Sequence, residues 1–280
     1  MAGSYAIMTR MDAADLEVRR HSSEGTPVIV LHGGPGAPGS ATELAKSLTD
    51  GFSVVEPLQR RSSGEPLTVA SHIADLDRIV TVETSPQPPA LVGESWGAML
   101  ALAYAAEQPD KVSSIALVGC GTFDQPSRAA MLRTLEERTD DELQLRLAAI
   151  SREAPDASAQ MARAHVLMDD LYTYERASEF PVPELQVDAK GHSETWADML
   201  RLQSESYYPH RFERIVCPVR MFHGDFDPHP GTLIRDNLKR HIPQLSYIRF
   251  ERCGHSPWVE EHARRPFVAA LREWLSAEPQ

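Results

Sequence analysis

The residues best able to do chemistry in this chain are a serine, an aspartate and a histidine set in three separate loops. Gly93-Glu94-Ser95-Trp96-Gly97 has the form G-x-S-x-G. An apolar run, Ala90-Leu91-Val92, leads into it and an Ala-rich stretch over 97–106 leaves it. Ser95 is therefore expected on a sharp strand-to-helix turn, its hydroxyl raised above a sheet. The flanking glycines let strand and helix approach where a Cβ would clash, and the helix N-terminus favours negative charge developing there. His32-Gly33-Gly34-Pro35-Gly36 follows the first core strand. A loop of this kind can hold backbone N–H groups toward a carbonyl oxygen that gains charge during acyl transfer. The amides of Gly34 and Trp96 are the expected donors, with His32 supporting the loop as a structural side chain.

His255, in Cys253-Gly254-His255-Ser256-Pro257-Trp258, follows the last strand and precedes the last helix. That position lets its imidazole reach back over the carboxyl edge of the sheet, where ligands bind in open α/β folds. His223-Gly224-Asp225-Phe226-Asp227-Pro228 ends the preceding strand and offers two carboxylates. Asp227, at the loop apex, is the expected acid, and Asp225 is better suited to stabilising the turn. Asp124 is a third option. The order nucleophile, acid, base along the chain then runs Ser95, Asp227, His255. In this scheme His255 removes the Ser95 proton, Ser95 attacks an ester or amide carbonyl, and an acyl-enzyme forms and is hydrolysed by water.

These groups need a sheet beneath them. Pro27–Leu31, Phe52–Val55, Ala90–Val92 and Ser114–Val118 are apolar runs bounded by Gly or Pro, which suits parallel strands buried on both faces. Helical stretches at 41–50, 68–83 and 97–107 alternate with them. An antiparallel edge hairpin is expected within Tyr5–His21. From 122 to 213 the chain is helical and charged without a convincing strand. Leu132–Arg152 and Ala157–Glu179 each read as an amphipathic helix, with Leu143, Leu147 and Ile150 forming an apolar stripe and Pro181 and Pro183 marking a loop. Strands resume at 218–224 and 245–250, and a closing helix covers 266–277. The expected fold class is α/β, a doubly wound, mostly parallel sheet. Residues 1–121 and 214–280 form its core, interrupted by a helical cap over 122–213.

The chain has 280 residues, 42% of them hydrophobic and 24% charged, with a net charge of −12. Such an acidic surface disfavours nucleic acid and anionic membrane, leaving a small-molecule substrate as the expected partner. No apolar run reaches spanning length and no leader is evident at the N-terminus. Cys120, Cys217 and Cys253 are widely spaced, so a disulfide framework is not expected and the cytosol is the default compartment. No glycine fingerprint for a dinucleotide is present, so no cofactor is implied. His229 lies near Asp225 and Asp227, but the spacing is not that of a zinc site and proline flanks it on both sides, so no metal is expected either.

The four motifs around His32, Ser95, Asp227 and His255 together resemble the α/β-hydrolase superfamily across nearly the whole core. The pairing of H-G-G-P-G with S-W-G is similar to proline iminopeptidases and related aminopeptidase-like serine hydrolases. Gln59-Arg60-Arg61-Ser62-Ser63-Gly64 also resembles their D-Q-R-G-x-G segment, with Leu58 in place of the aspartate and Arg61 in place of the first glycine. The resemblance implies an acidic cap residue that holds the substrate's free amine, and Glu205 is the candidate, one residue out of register with an E-N-H-Y-F-like segment. Tyr207 and Trp258 join it as expected substrate-binding residues. Trp96, Trp196 and Tyr208 could line the same apolar pocket or serve equally as core packing. A serine at position 95 sets aside the relatives that need a carboxylate nucleophile. Two substrates are expected candidates: a small peptide or amino-acid amide with a free N-terminus, and a small ester or lactone. A slow-turnover receptor that kept the fold is the reading from another class.

Overall fold

The computed structural model describes the backbone of residues 7–11 and the full residues 16–277. Its centre is an eight-stranded sheet in the order β1-β2-β4-β3-β5-β6-β7-β8. The strands are β1 (Ile7–Met11), β2 (Leu16–Arg20), β3 (Thr26–Leu31), β4 (Phe52–Leu58), β5 (Ala90–Glu94), β6 (Ser114–Val118), β7 (Val219–Gly224) and β8 (Ser246–Phe250). β1 pairs antiparallel with β2, and β2 with β4; every other pairing is parallel. The edge hairpin is present at 7–11 and 16–20, and residues 5, 6 and 12–15 of the stretch assigned to it lie outside the described residues.

Neighbouring residues of the central strands face opposite sides, as the twofold period of a strand requires. Ile29, Leu31, Leu91, Ile115 and Leu117 join one buried cluster with α2 (Val69–Glu83) and α3 (Trp96–Glu107). Val28, Val30, Val92, Ala116 and Val118 join the other, with α1 (Thr42–Lys46) and α10 (Arg264–Ser276). Both faces are covered, which explains why these strands read as continuous apolar runs. α3 is the most enclosed helix, with only Glu107 outside its buried set. Full burial of each of its leucines is worth about 1.5–3 kcal/mol.

Between β6 and β7 lie five helices: α4 (Gln125–Arg138), α5 (Asp141–Glu153), α6 (Ala157–Leu167), α7 (Asp169–Tyr172) and α8 (Ala189–Ser204). The single helix expected over 132–152 is two, because the Asp140 side chain accepts the Leu143 N–H and starts a new helix at 141. The helix expected over 157–179 is likewise two, α6 and α7, parted at Met168 and ending at Tyr172; beyond it Arg176 bridges to Glu260. The stripe Leu143, Leu147 and Ile150 is half-buried, on a helix that lies against α6. Asp198 and Glu194 of α8 accept the Val69 and Leu67 N–H groups, seating α8 over the start of α2. Among the described residues no helix is long and apolar enough to cross a membrane. The three cysteines are free and buried.

Candidate active site

The strand-to-helix turn at the end of β5 has the strained geometry its sequence implied. Ser95 lies at φ 54° and ψ −113°, a region that non-glycine residues rarely occupy. Its N–H donates to the Val118 carbonyl at 2.8 Å, fixing the turn to β6. A Cβ on Gly97 would run into the carbonyls of Leu31 and His32, so only glycine lets α3 start this close to β3. The helix that leaves the turn directs its first amides at the space above Ser95.

The His32–Gly36 loop sits beside this turn and is held from three sides. His32 is buried; its Nδ1 bonds to the Gly33 carbonyl at 3.0 Å and its Nε2 accepts the Gln59 N–H at 3.1 Å. Burial lowers its pKa, so the ring is neutral, a supporting side chain rather than a proton carrier. The Gln59 amide donates to the His32 carbonyl and accepts the Trp96 Nε1–H at 2.8 Å, tying the loop to the first residue of α3. Glu94, buried next to the serine, accepts the Gly33 N–H at 2.7 Å and the Ser40 hydroxyl at 2.8 Å. With the Gly33 amide so engaged, the amides of Gly34 and Trp96 remain without a hydrogen-bond partner among the described residues. From the inserted segment, Asp188 N–H donates to the Gly36 carbonyl at 2.8 Å and His192 Nδ1 bonds to that of Pro35 at 2.8 Å.

On the other side of the turn, His255 Nδ1 meets Asp227 Oδ2 at 2.8 Å. The imidazole packs on Gly119, the residue after the carbonyl that holds Ser95. At φ 55°, a Cβ there would lie 2.9 Å from His255 Nδ1. Ser95 and His255 thus flank one point of β6, and no direct hydrogen bond joins their side chains. The His255 loop is pinned by Glu260, a buried carboxylate that accepts the N–H groups of Gly254, Tyr174 and Glu175 at 2.6, 2.9 and 2.8 Å. His255 N–H donates to the Tyr172 carbonyl at 2.8 Å, and the Tyr172 ring stands edge-on to the imidazole.

Burial opposes charge on His255, but Asp227 and Glu94 outweigh it and raise its pKa. Burial likewise opposes charge on Asp227, yet His255, His223 and His229 hold its carboxyl well below the usual range. The pair therefore carries one firm negative charge beside an imidazole that readily takes a proton. Donor atoms of Asp227, His229 and His255 lie within 4.8 Å of one another. The two rings are nearly parallel, 23° apart, and their Nδ1 atoms face different oxygens of the carboxylate. That is the geometry of a shared hydrogen-bonded acid.

The pattern of the alpha/beta hydrolase fold family matches residues 26–261. The chain belongs to the α/β-hydrolase family. Like its full-length relatives, this α/β-hydrolase is a hydrolytic enzyme. It is 25% identical over 260 residues to the pimeloyl-[acyl-carrier protein] methyl ester esterase of Chromobacterium violaceum, covering 91% of this chain and 96% of the esterase. It is 23% identical over 278 residues to the proline iminopeptidase of Lactobacillus delbrueckii subsp. lactis, covering 92% of each. Among solved structures, VinJ superposes with a TM-score of 0.70 at 18% identity over 98% of this chain and 99% of the other.

Several residues expected at the α/β-hydrolase site lie elsewhere. Glu205 is exposed at the end of α8 and pairs with Arg201 at 2.7 Å. The Tyr207 hydroxyl donates to Glu107 at 2.6 Å, at the far end of α3, about 18 Å of helix from Ser95. Trp258 is buried against Phe267 on the α10 side of the sheet. Tyr208 stacks on Phe212 in the core. A tyrosine or tryptophan near a motif carries no sequence signal for which face it takes, and here packing decided. Asp225 receives the Cys253 N–H at 3.4 Å and serves the turn, while Asp124 caps α4 by accepting the Ser127 N–H at 2.7 Å. Glu94, Gln59 and Glu260 were not singled out for the roles they take. Gln59 stood inside a segment already matched by resemblance. Glu94 occupies the free position of G-x-S-x-G.

Proposed function

We propose that this protein is a serine hydrolase that cleaves a small ester or amide through an acyl-enzyme, with Ser95 as nucleophile, His255 as base and Asp227 as the acid behind it. The observation that carries the reading is the Asp227–His255 pair packed on Gly119, one residue from the carbonyl that anchors the Ser95 turn. With Nδ1–H given to Asp227, His255 keeps its Nε2 lone pair for the Ser95 proton. Ser95 Oγ then bonds to the carbonyl carbon, and charge moves onto the carbonyl oxygen. The free amides of Gly34 and Trp96 receive that oxygen; one such donor is worth about 10²–10³ in rate. The protonated His255 hands its proton to the leaving alkoxide or amine, and the C–O or C–N bond breaks. Water then enters by the mirror sequence, giving its proton to His255 and releasing Ser95. Residues 122–213 act as a cap over this site, and the 1–121 and 214–280 portions as its core.

An ester substrate is favoured over a peptide with a free N-terminus, because the acid expected to hold an amine, Glu205, is instead paired to Arg201. Turnover of p-nitrophenyl acetate and proline p-nitroanilide by wild type and Ser95→Ala tests both points. Ester cleavage that vanishes in Ser95→Ala supports the reading, and preference for the anilide would restore the aminopeptidase. Full activity in Ser95→Ala overturns the nucleophile, and absence of even a stoichiometric burst with the ester would point to a receptor.

A further inference from the structure

Asp227 holds more than one imidazole. Its Oδ1 accepts two donors from a single residue, the backbone N–H and Nδ1 of His229, each at 2.9 Å. Its Oδ2 faces His255 Nδ1 at 2.8 Å and His223 Nε2 at 3.2 Å. A carboxylate has about four lone-pair sites; three accept hydrogen bonds here, and His223 Nε2 stands beside the fourth while bonding to the His229 carbonyl. The His229 ring lies almost parallel to that of His255, with centroids 4.8 Å apart. Both side chains are nearly buried, at 13% and 12% exposure. The Tyr172 ring abuts both imidazoles at 6.2 and 5.6 Å. Pro228 and Pro230 fix the backbone on either side of His229.

We propose that His229 is a positioning residue of the active site: by clamping Oδ1 of Asp227 and stacking on His255, it sets the carboxylate plane and the imidazole plane together. A carboxylate on a loop can rotate about its Cβ–Cγ bond and offer His255 either oxygen at a range of angles. Two donors from one rigid residue remove that freedom. The stacked ring closes the opposite escape, since His255 cannot swing toward its neighbour without displacing it. His223 supports His229 in turn: its Nε2 bonds to the His229 carbonyl at 2.9 Å, so the three histidines and the acid form one unit.

This inference rests on the Ser95–His255–Asp227 reading and is tested by two substitutions of unequal kind. An asparagine places an amide N–H where imidazole Nδ1 stands, and alanine does not. His229→Ala is expected to lower kcat by about 10–100-fold with KM within about twofold. His229→Asn is expected to recover to within a few-fold of wild type, with both variants melting near the wild-type temperature. The NMR signal of the His255 Nδ1 proton, shielded from exchange by its bond to Asp227, should persist in His229→Asn and broaden away in His229→Ala. Equal impairment of the two variants, or an unchanged proton signal in His229→Ala, would overturn the positioning role. Ser95→Ala in the same assay separates the two readings. Full activity there removes the nucleophile assignment, while the proton signal, which does not involve Ser95, still decides the role of His229.

Discussion

Helix α3 and the inserted helices α4 to α6 occupy the same chain and meet opposite environments. α3 buries every residue from Trp96 to Ala106 between the sheet and α2. α4 buries only Ser127, and neither α5 nor α6 buries a residue fully. The first carries the Ser95 turn on its N-terminus; the others carry none of the three side chains assigned to bond making. The difference teaches that the core carries the three assigned side chains on its strand ends, and the insertion contributes by holding loops, through backbone atoms and the His192 side chain. Tyr172 supplies a carbonyl to the base loop, Tyr174 and Glu175 supply amides to Glu260, and Asp188 supplies an amide to Gly36.

The sharpest way to break this contrast is at the core acid. Asp227→Asn should lower kcat by about 10⁴-fold with little change in melting temperature, measured by steady-state kinetics on the ester and by calorimetry. A small loss would mean that the base is oriented from the insertion side. Leu102→Ala, in the fully enclosed part of α3, should cost about 2–5 kcal/mol in a urea titration. The matching change Leu145→Ala, at a side chain 71% exposed on α5, should fall within about 0.5 kcal/mol. Comparable losses at the two leucines would mean that α5 is covered in solution.

Glu94→Gln tests the oxyanion side. Gly33 N–H and the Ser40 hydroxyl both donate to the same oxygen, Oε2, so a glutamine oxygen can keep both bonds while the negative charge that strengthens them is lost. A loss of about 10–100-fold in kcat is expected, with KM less affected. A smaller effect concerns pH. His255 must be neutral to accept a proton, and its pKa is raised above 6.5. The rate should therefore fall as pH drops through that raised value, placing the acid limb of kcat/KM above 6.5. An acid limb below 6.5 would show that Asp227 and Glu94 do not control the imidazole in solution. Stability has a separate dependence, since burial pushes His72, bonded to Thr195 across the α2–α8 seam, down to about 3. It is neutral in the fold and takes up a proton on unfolding, so stability should decline as pH falls from 6.5 toward 3.

Ser95, His255 and Asp227 were legible in the sequence because each stands in a glycine- or proline-marked loop after an apolar strand, and backbone geometry leaves few alternatives there. The sheet was legible for the same reason, since burial on both faces writes itself as unbroken apolar runs. The inserted helices were legible as helical but not as separate pieces. What divides α4 from α5 is one capping carboxylate, Asp140, in a region already rich in charge. Glu205, Tyr207 and Trp258 could not be placed because a side chain's partner across the fold, such as Glu107 for Tyr207, leaves no trace in local spacing. His229 was noticed near Asp225 and Asp227 for its chemistry, but it was given no role. It serves the acid, and proline on both sides, which argued against a metal, is what makes it rigid.

Glu260 has a consequence for how substrate can enter and leave. One carboxylate joins the His255 loop to residues 174 and 175, so the segment just after α7 and the base move as a single body. Opening at that seam would strip a buried charge of the amides that surround it and carry the imidazole away from Ser95. That seam is therefore expected to stay closed while substrate comes and goes.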